Sequence, residues 1–328
     1  MSLVSFHKSL LPMTLRQRLR YLFLVYKKIR QPTAATAATP TIARAFECLR
    51  PDMDWQTMSL EQRNLAYNNV AQVGAAYAKK KGEEWTAASK ILREKRSQHL
   101  DIPYGPKDRN KWDLYPASDR DAPCMIHLHG GYWQRGSREQ YACLAEGALA
   151  RGWSVALPGY TLAPEASLTQ IITELRTALD WFTQKRAEYG IAGRVYLTGW
   201  SAGGHMTALL SSHPTVTAAV AISGVYDLAG LRDSPHVNDA LKFTEVEVQT
   251  LSPMRLPPAN KPVAITYGTS ELPWMIASSR YYHVYRSGQH FPGDLVPVPH
   301  ENHMTMLDEL RNENGYVMRA LADLAEQA

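Results

Sequence analysis

Arg194–His205 reads RVYLTGWSAGGH. Arg194–Thr198 has the β-branched and aromatic character of a short buried strand, and it stops at Gly199. From Ala202 onward the small residues open a helix. Gly199-Trp200-Ser201-Ala202-Gly203 is therefore a G-x-S-x-G pattern with a strand before it and a helix after it. A turn that sharp admits only small residues two places either side of the serine. It forces the serine into a strained conformation with its hydroxyl exposed, and the following helix aims backbone N–H groups at it. Ser201 is the candidate nucleophile.

Similar runs lie on both sides. Lys111–Ala117 alternates like a strand, and Cys124–His129 runs into Gly130-Gly131. Ser154–Leu157 stops at Pro158-Gly159, Ala218–Ser223 at Gly224, Pro262–Tyr267 at Gly268, and Asp294–Val298 at Pro299-His300. Between them, Ser167–Tyr189 carries helical spacing through Ile171, Leu175, Leu179 and Phe182. A helix is expected over Met304–Glu326, and residues 59–96 are helical but polar. Short buried strands alternating with helices define an α/β fold with a mostly parallel central sheet flanked by helices. In such sheets chemistry gathers outside the carboxyl ends of the strands.

At one of those ends stands His129-Gly130-Gly131-Tyr132-Trp133. Acyl transfer at a serine creates an oxyanion, which backbone N–H groups stabilise where glycines allow close approach. Ala202 N–H, after the nucleophile, is one expected donor. Gly131, with Gly130, supplies the other. Tyr132 and Trp133 are expected beside the substrate, with Trp200 shaping the pocket.

The base and its orienting acid should follow the serine in the order acid, then histidine. His303, in His300-Glu301-Asn302-His303-Met304, stands where the last strand meets the last helix; His300 is the alternative. Gly268-Thr269-Ser270-Glu271-Leu272-Pro273 ends a strand and contains no Asp, so Glu271 is the acid candidate. Asp227, after the preceding strand, is an alternative acid, expected instead to cap or orient its own loop.

HGGYW, GWSAGGH, SGVYDL, the G-x-x-E-x-P loop and NHM before a last helix together resemble the α/β-hydrolase fold, and within it the kynurenine formamidase (arylformamidase) branch. The resemblance extends over about residues 52–325 and includes AYNN at 66–69 and VALPGYTLAPEASL at 155–168. It implies Ser201 as nucleophile, Glu271 as acid, His303 as base and Gly130/Gly131 as oxyanion loop. The implied reaction is hydrolysis of an aryl formamide such as N-formylkynurenine, in tryptophan degradation. Three residues depart from the branch pattern: Trp200 replaces His, Met304 replaces Phe, and the acid is Glu where Asp is more frequent. Formyl is the smallest acyl group, and Tyr132 and Trp133 suit a small acyl pocket with aromatic faces for the leaving group. A carboxylesterase acting on small esters would use the same residues. A non-catalytic receptor on this fold would be expected to lose the nucleophile or base, and both are present.

The formal charge of +5 invites a nucleic-acid or membrane reading, but it is unevenly placed. Residues 1–46 hold eight basic residues and no acidic one; without them the chain has 28 basic and 31 acidic residues, a balance of −3. The body thus makes no electrostatic case for nucleic acid. Residues 1–46 form a basic amphipathic arm followed by an Ala/Thr/Pro linker, expected to be poorly ordered. The arm reads as an appended extension, a mitochondrial transit peptide or a membrane-surface helix, on a hydrolase body of residues 47–328. Its apolar run Tyr21–Tyr26 is too short to span a bilayer. Three cysteines (Cys48, Cys124, Cys143) make no disulfide framework, which fits a reducing, cytoplasmic setting. No metal-ligand or nucleotide-binding motif occurs, so no cofactor is expected. The expected partner is a small-molecule substrate, with a homodimer left open.

Overall fold

A computed structural model describes residues 58–291 and 293–327. The basic arm, its linker and Cys48 lie outside the described residues.

The described chain opens with three helices, α1 (Leu60–Ala66), α2 (Asn69–Val73) and α3 (Ala75–Lys95). Ser59 starts α1 with a reciprocal capping box to Gln62, and the Asn68 side chain caps α2. α3 buries only Trp85 and Ser89 and is laced outside by pairs such as Lys79–Glu83 and Lys90–Glu94. That is the polar helical character expected of residues 59–96.

Strands β1 (Ile102–Pro103), β2 (Lys111–Tyr115), β3 (Cys124–Leu128), β4 (Ser154–Pro158), β5 (Val195–Trp200), β6 (Val216–Ile222), β7 (Val263–Gly268) and β8 (Leu295–Val298) form one sheet. Their order is β1-β2-β4-β3-β5-β6-β7-β8. β1 and β2 pair antiparallel and every pairing from β4 to β8 is parallel. Strands β3, β4, β5 and β7 are buried at every position, which explains their unbroken apolar runs.

The helices between them are α4 (Glu146–Ala150), α5 (Leu168–Lys185), α6 (Ala202–Leu210), α7 (Ala229–Arg232), α8 (Pro235–Leu241), α9 (Glu245–Leu251), α10 (Pro273–Gly288), α11 (Met306–Arg311) and α12 (Tyr316–Gln327). α5 buries Leu168, Ile171, Leu175, Leu179 and Phe182, the stripe its spacing predicts, behind a Ser167–Gln170 capping box. The single closing helix expected over Met304–Glu326 is two. The chain turns through residues 312–315, where a side chain at Gly315 would stand 2.1 Å from Glu309 O. Cys124 and Cys143 are buried free thiols. Among the described residues no helix is long and apolar enough to cross a membrane.

Non-glycine residues with positive φ gather at the carboxyl edge of the sheet. Tyr132, Trp133, Ser201, Ser223 and His300 all follow strand ends there, with φ between 48° and 65°. Such conformations cost energy and persist only where their surroundings hold them, so this edge is where the fold stores strain.

Candidate active site

Ser201 joins β5 to α6 with φ 59° and ψ −117°. Its N–H donates to Ile222 O at 2.9 Å, carrying the β5–β6 ladder one residue past the strand. The turn is possible because its flanks lack side chains. A Cβ at Gly199 would meet Gly203 O at 2.3 Å, and one at Gly203 would meet Leu128 O at 2.0 Å. The first bond of α6 runs from His205 N–H to Ser201 C=O, so Ala202 N–H precedes the ladder.

The glycines of the HGG motif lie directly on this elbow. A Cβ at Gly130 would fall 2.5 Å from the Trp200 ring and 2.7 Å from its carbonyl. Gly131 has φ +110°, and its carbonyl accepts from the N–H groups of Gln134 and Arg135. His129 Nδ1–H donates to Gly130 C=O at 2.8 Å, while its ring stacks on Tyr160 at 4.3 Å. Across a trans peptide the next N–H points opposite the held carbonyl. His129 therefore fixes the direction of Gly131 N–H. Burial pushes its imidazole down to about 4, so it stays neutral for this task. Among the described residues, neither Gly130 N–H nor Gly131 N–H donates a hydrogen bond.

Glu271 follows β7 and His303 follows β8. Glu271 Oε1 accepts from the Ser223 hydroxyl at 2.5 Å and from Gly268 N–H at 2.9 Å. Oε2 lies 3.3 Å from His303 Nδ1. A proton on Nδ1 leaves Nε2 as the acceptor. The two loops are fastened to each other: Thr269 N–H donates to Val298 O, Ser270 N–H to Glu301 O, and His300 N–H to Thr269 Oγ1. Asn302 caps the base's turn, its Oδ1 accepting from the N–H groups of Met304 and Thr305. Trp200 reaches the same turn. Its Nε1–H donates to His303 O at 2.9 Å, and its ring lies 4.7 Å from the imidazole. Ser201 and Glu271 are each 4% exposed and His303 is 2% exposed.

The structure thus brings Glu271 and His303 together and packs the residue before Ser201 on the His303 ring. His300 is exposed and turned into a backbone role. Asp227 pairs with Arg255 and accepts from Ala229 N–H, capping its own loop. Trp133 is fully buried, edge-on to His205 and Phe243. Trp200 joins the core with Trp85 and Tyr141. Tyr132 is mostly buried, its hydroxyl turned to the N-terminal segment. His205 is a pillar: its Nε2 lies 2.7 Å from Leu251 O, and burial pushes it down to about 4. Sequence reasoning gave no role to Ser223, which ends a strand run and opens SGVYDL. Among the described residues no group of three or more His, Cys, Asp or Glu could hold a metal ion.

The sheet and its flanking helices form an α/β-hydrolase fold. A family model described as BD-FAE matches residues 112–245. The chain resembles kynurenine formamidase. It is 29% identical to the Salmo salar protein of that name over 228 residues, covering 64% of this chain and 76% of that one. To the Danio rerio kynurenine formamidase it is 25% identical over 295 residues, covering 82% and 97%. A crystal structure of a Silicibacter sp. TM1040 protein superposes with a TM-score of 0.69 at 25% identity, covering 79% of this chain and 98% of that one.

Proposed function

We propose that the chain is a serine hydrolase that cleaves a small acyl group from an aryl formamide such as N-formylkynurenine. The observation that carries the reading is the buried Glu271–His303 pair, held against the residue that precedes the strained Ser201. In this reading His303 Nε2 takes the Ser201 hydroxyl proton as Oγ attacks the formyl carbon. The oxyanion is received by the N–H groups of Gly131, with Gly130, and Ala202. His303 then protonates the leaving arylamine. Water attacks the formyl-enzyme by the same route and releases formate.

Glu271 keeps the imidazole in the tautomer this requires. Its second oxygen is occupied by Ser223 and Gly268, so one oxygen remains for His303. The formamide substrate is supported by similarity along nearly the whole of a kynurenine formamidase. Residues 47–328 are the hydrolase body in this reading, and the basic arm 1–46 is an appendage to it.

Kinetics on N-formylkynurenine and p-nitrophenyl acetate, with Ser201→Ala as control, test the proposal. Formamide turnover lost in Ser201→Ala is the expected result. Ester turnover without formamide turnover would leave a small-ester carboxylesterase instead. No Ser201-dependent turnover of either would remove the serine mechanism.

A further inference from the structure

One set of contacts lies outside the groups used so far. The Tyr132 hydroxyl donates to Tyr67 O at 2.5 Å and accepts from Asn69 Nδ2 at 3.0 Å and Asn69 N–H at 3.4 Å. A phenol has one proton and two lone pairs, so this hydroxyl is saturated. All three bonds come from the junction of α1 and α2, more than sixty residues away in sequence. Asn69 is 1% exposed and Tyr132 is 9% exposed, so water does not compete for the bonds.

Tyr132 is the residue after Gly131. Its φ of 54° is costly for a bulky side chain and survives only if its surroundings over-determine it. His129 sets the peptide on one side of Gly131. The phenol anchor sets the residue on the other side. The same segment also grips the neighbouring loops. Gln72 Nε2 donates to Ser270 O beside Glu271, and Asn64 Oδ1 accepts from the Ser234 hydroxyl and His236 N–H.

We propose that Asn69 and the Tyr67 carbonyl are positioning groups for the oxyanion hole. Through Tyr132 they hold Gly131 N–H where the developing oxyanion needs it. The N-terminal segment is then part of the catalytic apparatus although it supplies no reacting atom. This inference rests on the serine-hydrolase reading above.

A mere tether would affect stability or substrate binding. A positioning role affects kcat at constant KM, because the oxyanion exists only beyond the ground state. The test compares wild type, Tyr132→Phe, Asn69→Ala and the double variant on N-formylkynurenine and p-nitrophenyl acetate, with Ser201→Ala as reference. Tyr132→Phe removes all three bonds and keeps the ring. It should lower kcat by about 10- to 100-fold, less than full loss of an oxyanion donor, with KM changed less than about twofold. Asn69→Ala should move the same way by a smaller factor. Because both act through one hydroxyl, the double variant should be no slower than Tyr132→Phe.

Unchanged kcat in both single variants, a rise in KM alone, or losses that multiply in the double variant would each overturn the inference. Urea denaturation shows which variants are folded, and Asn69→Ala carries the test if Tyr132→Phe is not. If wild type is no faster than Ser201→Ala on both substrates, the hydrolase reading fails and this one with it. If wild type is faster but the anchor variants match it, only this one fails.

Discussion

Replacing Ser223 should slow the proposed hydrolase by loosening the hold on Glu271. The hydroxyl of Ser223 makes the shortest contact to Glu271, 2.5 Å to Oε1, against 2.9 Å from Gly268 N–H on the same oxygen and 3.3 Å from Oε2 to His303. In Ser223→Ala one donor remains for Oε1, and the carboxylate can rotate away from Nδ1. A hydrogen bond to a charged group contributes about 1.5–3 kcal/mol. At about 1.4 kcal/mol per factor of ten, kcat/KM should fall by about 10- to 100-fold. Some of the loss will appear as stability, since the carboxylate stays buried. A second variant separates the two. Ser223 has φ 48°, a conformation native to glycine, so Ser223→Gly deletes the same hydroxyl while relieving the backbone. Both variants should be equally slow on N-formylkynurenine, with Ser223→Gly at least as resistant to urea as Ser223→Ala. Wild-type kcat/KM in either folded variant would refute the argument, as would a rate that tracks urea resistance.

Three further outcomes are expected. Gly131→Ala places a Cβ 2.3 Å from Arg135 O at φ +110°, so the oxyanion loop must move, and single-turnover acylation should slow by about 10²–10³-fold. Trp200→Phe removes the donor to His303 O and should cost about 1–3 kcal/mol in urea denaturation, with a several-fold drop in kcat. Burial pushes His127 down to about 3, and His129 and His205 down to about 4, from an ordinary 6.5. Above that ordinary value both states are neutral and the term vanishes. As pH falls below it, only the unfolded chain takes up protons, so stability is lost down to about pH 4, at up to about 1.4 kcal/mol per histidine per pH unit. Urea midpoints measured stepwise through that range should fall, and His205→Gln should make the decline shallower.

The sheet was readable because its central strands are buried on both faces and therefore written as unbroken apolar runs. Ser201, Glu271 and His303 were locatable as candidates because each stands at a strand end marked by a break. Helices α7–α9 were not readable: they are short, and their sequence DLAGLRDSPHVNDALKFTEVEVQTL mixes turn residues with apolar ones at no steady period. The break between α11 and α12 did have a signal, Asn312-Glu313-Asn314-Gly315, overridden by the apolar spacing on either side. Ser223 and Asn69 stand in the SGVYDL and AYNN motifs, but nothing local in either motif gives the contact it makes. Their partners Glu271 and Tyr132 are distant in sequence, and only the β6–β7 adjacency and the folding-back of α2 bring them within reach. The Tyr132 phenol was expected beside substrate; its hydroxyl is engaged elsewhere, which no local pattern could reveal.

The fastening of the two turns that carry Glu271 and His303 has a consequence for how this fold can change. Three hydrogen bonds weld those turns into one piece on adjacent strands, β7 and β8. The N-terminal segment reaches that piece where Gln72 Nε2 donates to Ser270 O, while Asn64 is bonded to Ser234 and His236 instead. Mutations away from these bonds can therefore accumulate, or be randomised in a library, while the spacing of Glu271 and His303 is inherited intact. Selection for a new substrate would find its constancy at 268–271 and 298–303, and at Tyr67, Asn69 and Tyr132.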